Sequence, residues 1–212
     1  MNASNAREIE FVYDFGSPNA YLAWKVLPDI ADRRGVGLIS TPILLGGLFR
    51  LTGNRSPNET FAGVKNKLEY EQLEIDRFVA KHHLDAFRHN PHFPVNTLVL
   101  MRGAVAAAAL GIADAYQAAI FAGMWENGQK LDDERVFDSV LDAAGLPVAE
   151  LSQLCRSPEI KQQLIDNTQK AFDRGAFGAP SFFIGNDLYF GKDRLREIEE
   201  ALQGDQRIAP EI

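Results

Sequence analysis

The amino-acid sequence predicts an α/β fold in which a layered sheet domain is interrupted by an all-helical block. Three observations carry this: a strand-helix-strand opening, a long middle stretch with helical periodicity, and a closing hairpin followed by one helix. Residues 8–15 read Glu-Ile-Glu-Phe-Val-Tyr-Asp-Phe, apolar at alternate positions, and stop at Gly16. Ser17-Pro18 then supplies a hydroxyl cap and a proline for the first helical position, ahead of Tyr21, Leu22, Trp24, Val26, Leu27 and Ile30. That helix is expected to run to about residue 34, and the apolar run at 36–43 between Gly35 and Pro42 is the next strand.

From about residue 58 the pattern changes, and 67–84, 97–110, 111–127, 133–144 and 158–175 all repeat with the helical period. Asn90-Pro91, Phe93-Pro94, Gly111 and Gly145-Leu-Pro147 mark stops between them. After Gly175 the chain reverts to strand character at 181–184, turns at Gly185-Asn186-Asp187, continues at 188–190 and closes as a helix over 193–202. This is the element order of a thioredoxin-like fold with a helical domain inserted at its crossover. The expected division is 1–58 with 173–212 for the sheet domain and 59–172 for the helical insert.

The 212 residues suffice for one substantial core, and 46% hydrophobic with 24% charged residues is ordinary globular composition. A formal charge of −7 opposes general attraction to nucleic acid or an anionic membrane, so neither is an expected partner. Residues 1–10 are polar, without a basic stretch leading into an apolar one, and the cytoplasm is the expected compartment. Cys155 is the only cysteine. Its count excludes a disulfide within the chain, a CxxC redox pair and a cysteine-based zinc cluster, and its helical context reads as a small buried residue. His82, His83, His89 and His92 show no metal-ligand spacing with carboxylates, so no metal is expected.

The candidate for chemistry is Ser17, a hydroxyl at the junction of the first strand and the first helix. From local sequence a plain helix cap explains it. The same place also suits an anion, because free N–H groups and the positive end of the helix dipole face it. A charge-assisted hydrogen bond of about 1.5–3 kcal/mol with a dipole contribution of about 0.5–1 kcal/mol would lower a bound thiol's pKa by roughly 1.5–3 units.

Longer stretches narrow the reading: Asp14-Phe-Gly-Ser-Pro-Asn-Ala-Tyr-Leu-Ala23, Pro42-Ile-Leu-Leu-Gly-Gly-Leu-Phe49, Thr52-Gly-Asn-Arg-Ser-Pro57, Asn90-Pro-His-Phe-Pro-Val-Asn-Thr97, Leu100-Met-Arg-Gly-Ala-Val105, Gly175-Ala-Phe-Gly-Ala-Pro-Ser-Phe182 and Phe190-Gly-Lys-Asp-Arg194. Together, over essentially the whole chain, they resemble the 2-hydroxychromene-2-carboxylate isomerase family, kin of kappa-class glutathione transferases and of DsbA-type oxidoreductases. The resemblance implies glutathione as cofactor, with its sulfur at Ser17 where the oxidoreductases carry their first cysteine. It implies a cis bond at Ala179-Pro180, with Ala179 presenting its backbone to the cysteinyl unit in the manner of strand addition. Lys192 and Asp193 would take the γ-glutamyl end, Asn54 and Lys67 the rest of the peptide, with Lys67, or Lys65 close by, at the glycyl carboxylate. Phe49, Phe93, Asn96 and Trp125 are the candidate walls of a pocket for a small aromatic substrate between the two domains. Relatives in naphthalene breakdown often carry an aromatic residue after Ser-Pro, whereas Asn19 and Ala20 stand here. The activity implied is a glutathione-dependent isomerisation in aromatic catabolism by reversible thiolate addition, bond rotation and elimination. A kappa-type transferase and a noncatalytic thiol-peptide-binding module are the alternatives, and a homodimer is the expected assembly.

Overall fold

Strand β1 (Glu8–Tyr13) is the axis on which the rest is assembled, as seen in a computed structural model that describes residues 8–204. It pairs in parallel with β2 (Gly37–Pro42) on one side and antiparallel with β3 (Ser181–Ile184) on the other, and β4 (Asp187–Phe190) completes the order β2-β1-β3-β4. Alternation along β1 sends Ile9, Phe11 and Tyr13 into one core with Phe182, and Val12 into another with Phe183, Ile43 and Leu48. Both faces of the central strand are therefore buried, which is why its run is apolar almost throughout.

Helix α1 (Pro18–Arg34) starts at Ser17 and stops at Gly35, whose φ of 61° is the left-handed backbone of a helix C-cap. Its apolar side packs on the first core. The connection after β2 contains α2 (Leu45–Thr52) and α3 (Pro57–Phe61). Neither helix is foreseen by periodicity. The Gly46-Gly47 pair weakens α2 locally, and a capping box between Ser56 and Glu59 defines α3 despite its five residues.

The helical block then comprises α4 (Lys67–His82), α5 (Leu98–Ala109), α6 (Ala113–Trp125), α7 (Glu134–Ala143), α8 (Val148–Leu154) and α9 (Pro158–Asp173). Sequence periodicity anticipates these helices, except that the seven-residue α8 shows only as helical spacing leading to Cys155, without bounds of its own. The end of α9 lies against the sheet's second face: Asn167 donates to the Pro42 carbonyl at 3.1 Å, and the Thr168 hydroxyl accepts from Leu44 N–H at 3.0 Å. After the hairpin, a 3-10 turn over Lys192–Arg194 leads into α10 (Leu195–Gly204), so the closing α-helix begins two residues later than its apolar pattern suggests. No helix among the described residues is long and apolar enough to cross a membrane.

Candidate active site

Two segments distant in sequence meet at Ser17. As the N-cap of α1, Ser17 has extended backbone (φ −97°, ψ 114°), and its Oγ accepts from the Ala20 N–H at 3.2 Å. The same oxygen donates its proton to the Ala179 carbonyl at 2.9 Å. Ser17 is only 6% exposed. Among the described residues the Asn19 N–H at the helix start has no acceptor, so a donor is left facing the place where an anion is favoured.

The opposing segment is the Ala179-Pro180 loop, whose peptide bond is cis, as the resemblance implies. Its carbonyls are held one after another. Phe177 accepts from Asn54 Nδ2 at 2.8 Å, Gly178 from the Ser181 hydroxyl at 2.8 Å, Ala179 from Ser17, and Pro180 from the Gly191 N–H at 2.9 Å. The Ala179 N–H, in contrast, meets no acceptor among the described residues. A Cβ on Gly178 would lie 2.7 Å from the Phe190 ring, which meets the Phe177 ring at a tilt with centroids 4.4 Å apart, so a larger residue there would have to displace that ring.

Asp14 is the residue sequence reasoning did not single out. It is 1% exposed, and its carboxylate accepts from the Gly16 N–H at 2.8 Å, the Leu45 N–H at 2.8 Å and the Thr97 hydroxyl at 3.1 Å. Leu45 opens α2, which has no side-chain cap of its own, so Asp14 caps that helix from 31 residues away. Burial raises its pKa above the ordinary carboxylate range, and the donors from Leu45, Gly16 and Thr97 oppose that rise. An acidic residue ending an apolar strand just before the Gly-Ser turn is the signal that points to it.

The Phe15 backbone is pinned from the helical block. Trp125 Nε1 donates to its carbonyl at 2.8 Å, and its own N–H points to Met101 Sδ at 3.4 Å. Trp125 is 1% exposed, so it belongs to the core and is not an open pocket wall: its indole meets the Phe93 ring at a tilt, with centroids 5.9 Å apart. Phe93 is 41% exposed, ahead of a cis bond to Pro94, and Phe49 is half-buried on α2. Asn96 is exposed, and its Oδ1 accepts at 3.0 Å from the N–H of Leu98, the first residue of α5. Asn54 likewise has both side-chain ends engaged, by Phe177 and by the Arg55 N–H at 2.8 Å, so it positions the cis-proline loop.

Lys192 is a buried ammonium, its side chain 4% exposed, lying 2.8 Å from Asp193 Oδ1 and 5.3 Å from the centre of the Phe78 ring on α4. The Asp193 side chain remains 65% exposed. Both line a cleft of about 430 Å³ between α1, α4 and α10, which Ser17 does not line. At the other end of α4, Lys67 pairs with Glu71 and lies over the rings of Phe61 and Tyr70, whereas Lys65 is exposed. Cys155 is buried behind α5, its Sγ directed at the Val99 carbonyl, and desolvation pushes its thiol up to about 11 against the pull of Arg102 and Arg156. His82 packs on Phe78 and His89 on Phe87.

A cis-proline loop laid against the amino end of the first helix, with a helical block between the second and third strands, defines a thioredoxin-type site. The chain belongs to the DsbA-like thioredoxin domain family, whose profile matches residues 8–203. It is 28% identical to the 2-hydroxychromene-2-carboxylate isomerase of Sphingobium xenophagum over 92% of this chain and 98% of that one. It is 24% identical to human glutathione S-transferase kappa 1 over 96% of this chain and 94% of that one. A solved 2-hydroxychromene-2-carboxylate isomerase superimposes with a TM-score of 0.81 at 25% identity, covering 94% of this chain and 96% of that one. A probable DsbA oxidoreductase from Streptomyces coelicolor, at 17% identity and a TM-score of 0.75 over 97% and 93% of the two chains, shares the fold.

Proposed function

We propose that this protein is a glutathione-dependent isomerase of 2-hydroxychromene-2-carboxylate or a related unsaturated aromatic pyruvate. The observation that carries the reading is the Ser17 hydroxyl, held 2.9 Å from the Ala179 carbonyl at the start of α1, in a chain whose relatives bear the names isomerase and glutathione transferase. The residues present fit the tripeptide. Ala179 offers a free N–H for an extended peptide, and the Asn19 N–H and Ser17 face an anion. The Lys192 and Asp193 pair offers both charges to a zwitterionic end group. Lys67 is the cation proposed for a carboxylate.

When bound, glutathione supplies the nucleophilic sulfur that this chain lacks, since Cys155 is buried and protonated at neutral pH. The protein's own part is electrostatic and positional. Ser17 donates to the sulfur and lowers its proton affinity, while the α1 dipole and the Asn19 N–H add to that field. Asp14 and Trp125 keep the turn carrying Ser17 rigid, which preserves the donor's direction. Phe49 and Phe93 are the aromatic faces proposed for the substrate, with Asn96 a polar contact.

Incubation with glutathione and a panel of hydroxybenzylidene pyruvates, followed by product analysis, tests the proposal. Isomerised product with glutathione unconsumed after many turnovers is expected. Consumption of glutathione into a released conjugate would make the protein a kappa-type transferase, and binding without turnover would make it a noncatalytic module.

A further inference from the structure

Ser17 has one hydroxyl proton, and the hydrogen bond to Ala179 already uses it. It is donated to the Ala179 carbonyl at 2.9 Å, while the oxygen accepts from Ala20. To donate to a sulfur anion, the hydroxyl must turn away from Ala179 and leave the carbonyl of that half-buried residue without a protein donor. Such a loss cancels much of what the new bond gains. Something must take over the carbonyl.

We infer that Ser17 activates only thiols carrying an amide N–H on the carbon adjacent to the CH₂–SH group, because that N–H replaces the Ser17 hydroxyl on the Ala179 carbonyl. The inference rests on the sulfur lying at Ser17, as proposed above. In a cysteinyl unit the nitrogen and sulfur sit on neighbouring carbons, roughly 3–4 Å apart in staggered rotamers. The hydroxyl and the carbonyl it serves are separated by a comparable 2.9 Å, so one ligand reaches both. The exchange balances. Ala179 trades an O–H donor for an N–H donor, the Ser17 O–H passes to sulfur, the thiol proton leaves to solvent, and the Ala20 cap on Oγ is kept. Ligand backbone pairing is thereby coupled to thiol activation: a thiol without the amide finds the hydroxyl engaged elsewhere.

Two measurements test this without reference to turnover. In the first, the ultraviolet thiolate absorbance of bound glutathione is titrated beside that of its ester analogue, in which oxygen replaces the cysteinyl N–H with no added bulk. Glutathione's thiol pKa is expected to fall by about one unit or more, a tenfold gain in thiolate at a given pH, while the analogue's stays near its free value. Equal lowering in both ligands overturns the inference. In the second, affinities are compared at a pH where both thiols are protonated. Exchanging N–H for oxygen should cost little in the wild type, where Ser17 keeps the Ala179 carbonyl satisfied, and about tenfold in Ser17→Ala, where nothing does. An equal cost in the two proteins also overturns it. Glutathione bound with no lowering of its pKa, or not bound at all, instead removes the placement of sulfur at Ser17.

Discussion

Replacing Ser17 with alanine separates the two roles of its hydroxyl. The structure assigns it two protein hydrogen bonds, one accepted from Ala20 and one donated to Ala179. Loss of the cap costs about 0.5–2 kcal/mol, and loss of the bond to Ala179 a further 0.5–1.5 kcal/mol or so. The expected fall in folding stability is therefore roughly 1–3.5 kcal/mol, read from the denaturant midpoint at constant m-value. The bound thiol is a separate quantity. A charge-assisted bond of about 1.5–3 kcal/mol corresponds to about 1–2 pKa units, so the thiol of bound glutathione should rise by that much in the variant. The rise should stop short of the free value, because the helix dipole, about 0.5–1 kcal/mol, survives the mutation. Ser157→Ala is the matched control. Ser157 caps α9 by accepting from the Ile160 N–H at 3.3 Å, so its loss should lower stability by the cap's about 0.5–2 kcal/mol and leave the thiol alone. If Ser17→Ala lowers stability while the bound thiol titrates as in the wild type, Ser17 is a helix cap and the mechanism is wrong.

Three further outcomes follow from other parts of the structure. Asp14→Ala leaves the Gly16 and Leu45 N–H groups without an acceptor, at about 1–3 kcal/mol each before the relief of the carboxylate's own desolvation. Because burial raises the folded-state pKa of Asp14, its contribution is fully present below the unfolded value and is lost as pH rises through the folded one; Asp14→Ala should flatten that part of the stability-pH profile, and an unchanged slope would refute the assignment. Gly103→Ala would place a Cβ 2.0 Å from the Tyr116 hydroxyl, which is buried and donates to the Leu100 carbonyl, so thermal melting should show a loss of about 1–3 kcal/mol or more; a wild-type melting temperature would show that α5 and α6 have room to separate. Cys155, with its thiol pushed up to about 11, should resist a thiol reagent at neutral pH and react fully once denatured, and fast native labelling would contradict its burial.

The parts legible in the sequence are those whose cause is local. Alternation along β1, the Ser17-Pro18 helix start, the hairpin turn at Gly185 and the periodic helices each follow from neighbouring residues, and the structure reproduces them within a few positions. Helix α2 escapes because its start is stabilised by Asp14, far behind it in sequence, while its own Gly46-Gly47 argues against a helix. Trp125 shows a different limit. An aromatic residue on a helix reads the same whether it faces a cleft or a backbone carbonyl, and only the tertiary bond to Phe15 settles that it is core. The opposite holds for Ala179-Pro180, where the surrounding motif, not the dipeptide, carries the expectation of a cis bond.

The helical block does more than roof a pocket. Thr97 bonds the Asp14 carboxylate, Met101 receives the Phe15 N–H, and Trp125 donates to the Phe15 carbonyl. Three residues from α5, its cap and α6 thus hold the turn that aims Ser17, while α2 holds the same carboxylate from the other side through Leu45. The turn is fixed by groups that must all be present at once, and one donor's direction depends on the packing of several helices. A substitution that loosens α5 or α6, far from any ligand, should therefore disturb the bound thiol's pKa along with stability.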